Sequence, residues 1–481
     1  MSNSKVIQGG TVVTSGSISA ADIRIENGVI TAIGSNLDTA GAETIDAAGL
    51  YVFPGGIDPH THLDMPFGGT VTADDFESGT IAAAFGGTTT LIDFCLTERG
   101  KPLANAVKTW HEKAKGKAVI DYGFHLMVAE AGEEVLAELP QMIEQEGITS
   151  LKVFMAYKNV FQADDGTLFR TLQLAREEGA LVMVHAENGD VIDFLIREAL
   201  DNGQTEPIYH ALTRPPQLEG EATGRAAELA GLADAPLYVV HVTCAEAVER
   251  IAAARARGLR VYGETCPQYL TLDVSALEKP GFEGAKYVWS PPLREAWHQK
   301  VLWDALSSGT LQAIGSDQCS FNFEGQKELG LGDFSKIPNG GPTIEDRFSI
   351  IYSEGVAKGR IDLHQFVELV STASAKLFGL YPRKGTIAIG SDADLVLFDP
   401  LVNRKISVRD HHLRVDYSAF EGMPVHGEPV SVLVRGDFVI RDREFVGKPG
   451  SGQYLKRERF GQGVRGLAPK TSTSSAGGPR G

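Results

Sequence analysis

The chain has 481 residues, 43% of them hydrophobic, and a formal net charge of −17 at pH 7. That length supports a large core and more than one domain. The acidic balance excludes general nucleic-acid binding, which requires a basic face, and no stretch reaches the ~18 consecutive apolar residues of a membrane span. The opening MSNSKVIQGG has no apolar signal core. Cys95, Cys244, Cys266 and Cys319 are widely spaced and form no CxxC pair. They read as reduced thiols, so the expected compartment is the cytoplasm.

Residues 1–50 predict short strands and turns. Val6-Ile7, Thr11-Val12-Val13, Ile23-Arg24-Ile25 and Val29-Ile30 are separated by Gly9-Gly10, Gly16 and Asn27-Gly28. Asn-Gly between two β-rich runs is a hairpin signal. The same texture returns at Asp394–Phe398, Val430–Val434 and Phe438–Ile440. The simplest arrangement is one small, sandwich-like β-domain built from residues 1–50 and 382–445, with a larger domain, residues 51–381, inserted between them. Residues 446–481 then form an arm and tail. The arm's Tyr454–Phe460 mixes aromatics with charge and suits either a neighbouring subunit or solvent. Beyond it, 461–481 is rich in Gly, Ser, Thr and Pro and predicts a mobile tail.

The inserted segment alternates β-branched runs with helical stretches. Candidate strands are Tyr51–Phe53, Thr88–Phe94, Ile120–Val128, Ser150–Met155, Leu181–His185, Leu237–Val242, Arg260–Glu264 and Leu311–Gly315. Amphipathic segments such as Leu103–Ala114, Glu133–Gln145, Leu168–Glu178, Ala245–Arg257 and Ala296–Leu306 lie between them. Such alternation implies βαβ units and a parallel sheet. Eight strands point to a (β/α)8 TIM barrel, with an open doubly wound sheet as the alternative.

Metal-ligand residues fall at the ends of these runs. His60 and His62 follow the first run after Pro54-Gly55-Gly56, and in an extended chain i and i+2 face the same side. His185 ends one strand; His241 and Asp317 follow two others. A lone histidine is more often a buried core residue, but five ligand types at one edge of a barrel mark the rim where such folds place active sites. Lys152 lies inside a strand, where alternation turns Leu151, Val153 and Met155 toward helices and Lys152 and Phe154 inward. An inward ammonium either snorkels to solvent, pairs with an acid, or is modified, for instance by CO2 to an anionic carbamate that bridges two metals; burial lowers a lysine pKa and favours that reaction. The ligand count supports two ions. His60, His62 and Asp317 would hold one, His185 and His241 the other, and modified Lys152 would lie between. Imidazole-rich sets favour Zn²⁺, without excluding Mn²⁺ or Co²⁺. A hydroxide bridging two such ions is a nucleophile at neutral pH, with Asp317 as proton carrier.

The set His60-x-His62, Lys152, His185, His241 and Asp317 resembles the binuclear-metal amidohydrolase superfamily. Surrounding words narrow the resemblance to the dihydropyrimidinases and D-hydantoinases. They are Asp58-Pro59-His60-Thr61-His62-Leu63-Asp64-Met65-Pro66-Phe67, Lys152-Val153-Phe154-Met155-Ala156-Tyr157-Lys158, His185-Ala186-Glu187-Asn188 and Glu219-Gly220-Glu221-Ala222-Thr223-Gly224-Arg225. Further on come Ser290-Pro291-Pro292-Leu293-Arg294, Gly315-Ser316-Asp317-Gln318-Cys319 and Ile337-Pro338-Asn339-Gly340-Gly341-Pro342. The resemblance covers nearly the whole chain. It implies a carbamylated Lys152 (N6-carboxylysine), two zinc ions, the split β-domain and a homotetramer, with a dimer as the lesser form.

It also implies a reaction: hydrolytic opening of dihydropyrimidines such as dihydrouracil and dihydrothymine, as in pyrimidine catabolism, or of hydantoins, to N-carbamoyl amino acids. The bridging hydroxide would attack a ring carbonyl and Asp317 would carry the proton to the departing nitrogen. Tyr157 would bond the oxyanion. Ser290 and Asn339 would hold the –CO–NH–CO– unit, largely through backbone groups. Leu63, Met65, Phe154 and Phe161 would line the pocket for the ring substituent. Glu221 and Arg225 read as an ordinary i,i+4 helix pair, Cys319 as a buried thiol at the site, and His125 as core. Sibling readings are allantoinase and dihydroorotase. The latter typically carries Arg two positions after the second histidine, where this chain has Asp64, which would repel a substrate carboxylate. A non-catalytic, dihydropyrimidinase-related scaffold protein would have lost the ligands kept here.

Overall fold

Eight parallel strands follow one another in chain order around the larger domain: β1 Gly56–Thr61, β2 Thr88–Cys95, β3 Asp121–Met127, β4 Ser150–Phe154, β5 Leu181–His185, β6 Leu237–Val239, β7 Val261–Thr265 and β8 Ala313–Ile314. The computed structural model describes residues 4–130 and 132–461. Strand order equals sequence order, as in a (β/α)8 barrel. The seam between β1 and β8 is closed just beyond the strand ends. The Ser316 N–H donates to the Asp58 carboxylate at 3.0 Å, and the His62 N–H donates to the Gln318 carbonyl at 2.8 Å.

Helices between the strands cover the outside because their apolar residues recur on one face. Leu103–Ala114 buries Leu103, Ala106, Val107, Trp110 and Ala114, a helical spacing. Asp165–Glu178 starts where the Asp164 carboxylate accepts the Thr167 N–H and stops at Gly179, which adopts a φ of 66°. In and just after β4, Leu151, Val153 and Met155 join the core shared with these helices, while Lys152 lies beside Met183 of β5 and within 5.0 Å of the Phe94 and Phe154 rings. The barrel interior is filled by Ile57, Ile92, Phe94, Leu181, Met183, Tyr238 and Tyr262.

Both chain ends build the second domain. One sheet runs Val29–Gly34, Asp22–Glu26, Ser4–Gln8, Glu43–Asp46; the other contains Asp437–Arg441, Pro424–Val434, Leu395–Lys405, Tyr51–Pro54 and Thr11–Val13 in adjacent order. Asn27 and Gly28, at φ 51° and 83°, make the turn between Asp22–Glu26 and Val29–Gly34. Ile7, Ile23, Ile25, Val52, Leu395 and Leu433 share the core of this domain.

Two expectations change. The Tyr51–Phe53 run is not a barrel strand: it pairs with Thr11-Val12 on one side and Leu395–Phe398 on the other. The chain then crosses between domains at Gly55, whose close approach to the Thr89 side chain leaves no room for a β-carbon. The barrel begins at Gly56. The Tyr454–Phe460 arm runs across the N-terminal end of its own barrel, burying Leu455 and Arg457 and leaving Lys456, Glu458 and Arg459 exposed. Leu455 donates to the Tyr122 carbonyl at 2.7 Å, Glu458 to Gly379 at 2.9 Å and Phe460 to Gly179 at 2.7 Å. Buried Arg457 reaches the Phe124 carbonyl and Ser150 Oγ at 2.5 and 2.8 Å. From residue 462 the predicted tail lies outside the described residues. No helix among those described is long and apolar enough to cross a membrane.

Candidate active site and metal centre

The C-terminal ends of the strands bring the predicted ligands to one rim. His60 Nε2 and His62 Nε2 lie 3.2 and 3.4 Å from Asp317 Oδ1. His185 Nδ1 lies 2.9 Å from His241 Nε2. Ligands held at ~2.0–2.1 Å around a tetrahedral ion are separated by about 3.3 Å, close to these spacings. All five are buried. The strand ends are fixed from below. The Asp58 carboxylate accepts the N–H groups of His60 and Ser316 at 3.1 and 3.0 Å and faces the buried Arg347 guanidinium at 3.8 Å.

Two carboxylates absent from the sequence reading orient the imidazoles. His60 Nδ1–H donates to Glu264 at 2.5 Å, leaving Nε2 aimed at the cluster, and His185 Nε2–H donates to Glu187 at 2.7 Å, leaving Nδ1 free. Such partners set the tautomer and raise ligand basicity. Burial raises the Glu264 carboxyl and lowers the His60 and His241 imidazoles well below their usual value, so the rings are held neutral, as metal ligation requires. Nδ1 of His62 and of His241 has no hydrogen-bond partner among the described residues. Lys152, 1% exposed, is drawn down to about 7 by burial, against the opposing pull of Glu264 and Asp317. The donor set and its burial fit divalent cations.

Tyr157 follows β4 at a φ of 65°, a strained conformation that His241 and Asp317 share at 38° and 54°. Its hydroxyl accepts from Asn339 Nδ2 at 3.4 Å, and the same amide reaches Ser290 Oγ at 3.1 Å. Burial pushes the phenol up to about 12, so it is a proton donor to ligands at neutral pH. These three side chains line both an inner cavity at the metal ligands and an outer one of about 680 Å³. Met65 and Phe154 face the inner cavity, and Phe161 faces both.

Leu63 is a correction. It is fully buried and packs against Gly79 rather than lining either cavity. The chain turns after His62, with Asp93 accepting the Leu63 N–H at 2.8 Å and the Thr61 hydroxyl at 2.9 Å, and this swings the side chain toward helix Phe76–Phe85. Phe67 takes the apolar role instead, stacking on Phe161 at 6.0 Å and meeting Tyr157 edge-on at 5.5 Å. Asp64 also lies outside both cavities, so the case against a dihydroorotase rests on the missing arginine, not on repulsion.

Residues 51–439 match the amidohydrolase family. The chain is 72% identical over 457 residues to the D-hydantoinase of Geobacillus stearothermophilus, covering 95% of this chain and 97% of that protein. The chain belongs to the amidohydrolase family, in its hydantoinase and dihydropyrimidinase branch. A crystal structure of a D-hydantoinase superposes with a TM-score of 0.95 at 71% identity, over 95% of this chain and 100% of the other. That of the dihydropyrimidinase from Brevibacillus agri gives 0.95 at 66% identity, over 95% and 99%.

Within this amidohydrolase, Glu264 carries the same signal as the histidines, a polar group ending an apolar run. Glu187, two residues after His185, lies in one of the segments that carry the family resemblance. His210 had no signal; it lies 80 residues from Ser290, yet its Nε2–H donates to the Trp289 carbonyl at 2.7 Å, and its Nδ1 accepts from Arg214, which lines the outer cavity. Arg225 bonds Glu221 at 2.9 Å, the helix pair anticipated. His125 is core, with Nε2–H on the Pro59 carbonyl at 2.9 Å. Cys319 is a buried free thiol beside the inner cavity.

Proposed function

We propose that this chain hydrolyses cyclic imides, 5,6-dihydropyrimidines and hydantoins, to N-carbamoyl amino acids. The observation that carries the reading is the meeting, on one rim, of His60, His62, Lys152, His185, His241 and Asp317 with the Tyr157–Asn339–Ser290 cluster. His60, His62 and Asp317 would hold one divalent ion and His185 and His241 a second, Zn²⁺ being favoured by the imidazole-rich set. Lys152, a buried amine near neutrality, would take up CO2 and ligate both ions as a carbamate. When bound, the ions supply Lewis acidity and an acidified water.

The chain's own residues do the rest. The Tyr157 hydroxyl accepts from Asn339, so its proton is free for the oxyanion that forms on the attacked carbonyl. Asp317 takes the proton released by the attacking water and passes it to the departing ring nitrogen. Ser290 and Asn339 orient the –CO–NH–CO– edge, and Met65, Phe67, Phe154 and Phe161 exclude water around the ring substituent.

The four free, buried cysteines support a reducing cytoplasm, and the family resemblance supports a homotetramer. The domain division we favour keeps residues 382–445 with the N-terminal strands, the first joint falling at Gly55. Purified, metal-loaded protein should hydrolyse dihydrouracil or hydantoin with release of one carboxylate per ring. Inactivity on both at full metal content would overturn the reading.

A further inference from the structure

Lys327 is fully buried, and no carboxylate lies within ion-pairing distance of it among the described residues. Its Nζ donates instead to three main-chain carbonyls: Gly340 at 2.6 Å, Pro338 at 2.7 Å and Val288 at 3.2 Å; burial draws the amine down to about 7, and three acceptors select the ammonium, with its three protons. An ammonium has three N–H groups, and all three are used. The acceptors come from two loops far apart in the chain. One carries Ser290, the other Asn339.

The geometry of the planar peptide gives this a consequence. In a trans peptide the C=O of one residue and the N–H of the next point in opposite directions, and the Pro338–Asn339 bond is not among the cis peptides. With the Pro338 carbonyl turned onto Lys327, the Asn339 N–H is turned away from it. That N–H has no partner among the described residues, on a residue that lines both cavities. The Ser290 N–H and carbonyl are likewise without partners there. Groups beside them are engaged. The Gly340 N–H donates to the Val288 carbonyl at 2.9 Å, tying the loops together, and the Trp289 carbonyl takes the His210 ring N–H at 2.7 Å. The two loops are tied to each other through Lys327 and the Gly340–Val288 bond, while the Asn339 and Ser290 main-chain groups, on residues that line both cavities, are left over.

We propose that Lys327 is a positioning residue that aims and polarises the Asn339 N–H toward the substrate carbonyl that hydrolysis leaves intact. A cation on a carbonyl oxygen draws electron density from the peptide nitrogen, so the opposite N–H becomes a stronger donor; low local dielectric enlarges the effect. A neutral amide in place of Lys327 has only two donors for three acceptors and no charge. The inference rests on the cyclic-imide reading above. In that reaction one carbonyl becomes the new carboxylate, and the other survives in the carbamoyl group. The surviving carbonyl, not the reacting one, is the partner assigned to Asn339.

The test uses metal-replete full-length protein and two rings, hydantoin and 2-thiohydantoin. In the second, sulfur, a weaker acceptor, replaces the surviving carbonyl oxygen. Lys327→Met keeps an unbranched apolar stem and removes the charge and the donors. We expect its KM for hydantoin to rise about tenfold, the scale of one charge-assisted hydrogen bond, with kcat within about threefold. Metal content should equal that of the wild type. The wild type should prefer hydantoin over 2-thiohydantoin in kcat/KM, and the variant should lose most of that preference, which mere loosening of the fold would not do. If Lys327→Met is not recovered folded, Lys327→Gln, with two donors and no charge, carries the same comparison. A folded variant with unchanged KM and an unchanged oxygen-over-sulfur preference overturns the role of Lys327 alone. A wild type inert on hydantoin and dihydrouracil overturns the hydrolase reading and this inference together.

Discussion

At the C-terminal end of the barrel, polar groups are gathered with part of their hydrogen-bonding capacity unused. Among the described residues, His62 and His241 each keep an unpartnered Nδ1, and Tyr157, His241 and Asp317 hold positive φ. At the N-terminal end the arrangement is reversed. The segment around Leu455 exchanges main-chain hydrogen bonds with Tyr122, and Arg457 reaches across to β3 and β4. Lys384 there binds Asp121 and Asp394 at 2.6 and 2.7 Å. One end keeps ligating capacity and backbone strain, which cost stability and serve function. The other end closes the fold.

Substitutions at the two ends should therefore fail in different ways. Lys152→Ala should reduce activity to background and metal content below one ion per chain, while the fold is retained, because among the described residues Lys152 makes ring contacts but no hydrogen bond or ion pair that holds the barrel together. Atomic absorption alongside circular dichroism checks this, and normal metal content in the variant would remove Lys152 from the ligand set. Tyr157→Phe should leave metal content intact and lower kcat by roughly 10²-fold or more, as for other oxyanion donors worth ~2.7–4 kcal/mol. An unchanged kcat would make the residue a packing group only. At the opposite end, Arg457→Ala should cost about 1–3 kcal/mol of unfolding free energy, from two buried hydrogen bonds lost, and leave kcat per folded chain unaltered. A loss of kcat without a loss of stability there would erase the contrast between the ends.

The rim was more legible in the amino-acid order than the cavity above it. Leu181–His185 reads as a strand that carries its histidine to the rim and is one, because in a barrel the strand's end and the rim coincide. Lys152 stood out because alternation turned a charge inward. Leu63 did not follow its neighbours into the cavity, since its direction is decided by Asp93 and Gly79, 30 and 16 residues downstream. The arm at Tyr454–Phe460 has a composition that suits solvent, and only its distant partners Tyr122, Gly147, Gly179 and Gly379 place it. Lys327 was invisible for the same reason. Nothing near it in the chain announces that its three acceptors sit at positions 288, 338 and 340.

Electron density at the rim of crystals grown from metal-loaded protein tests the central claim most directly. The account predicts two strong peaks, one against His60, His62 and Asp317 and one against His185 and His241, with density extending from Lys152 Nζ to both. A rim with fewer than two peaks, or an unmodified Lys152 amine standing apart from them, would contradict it.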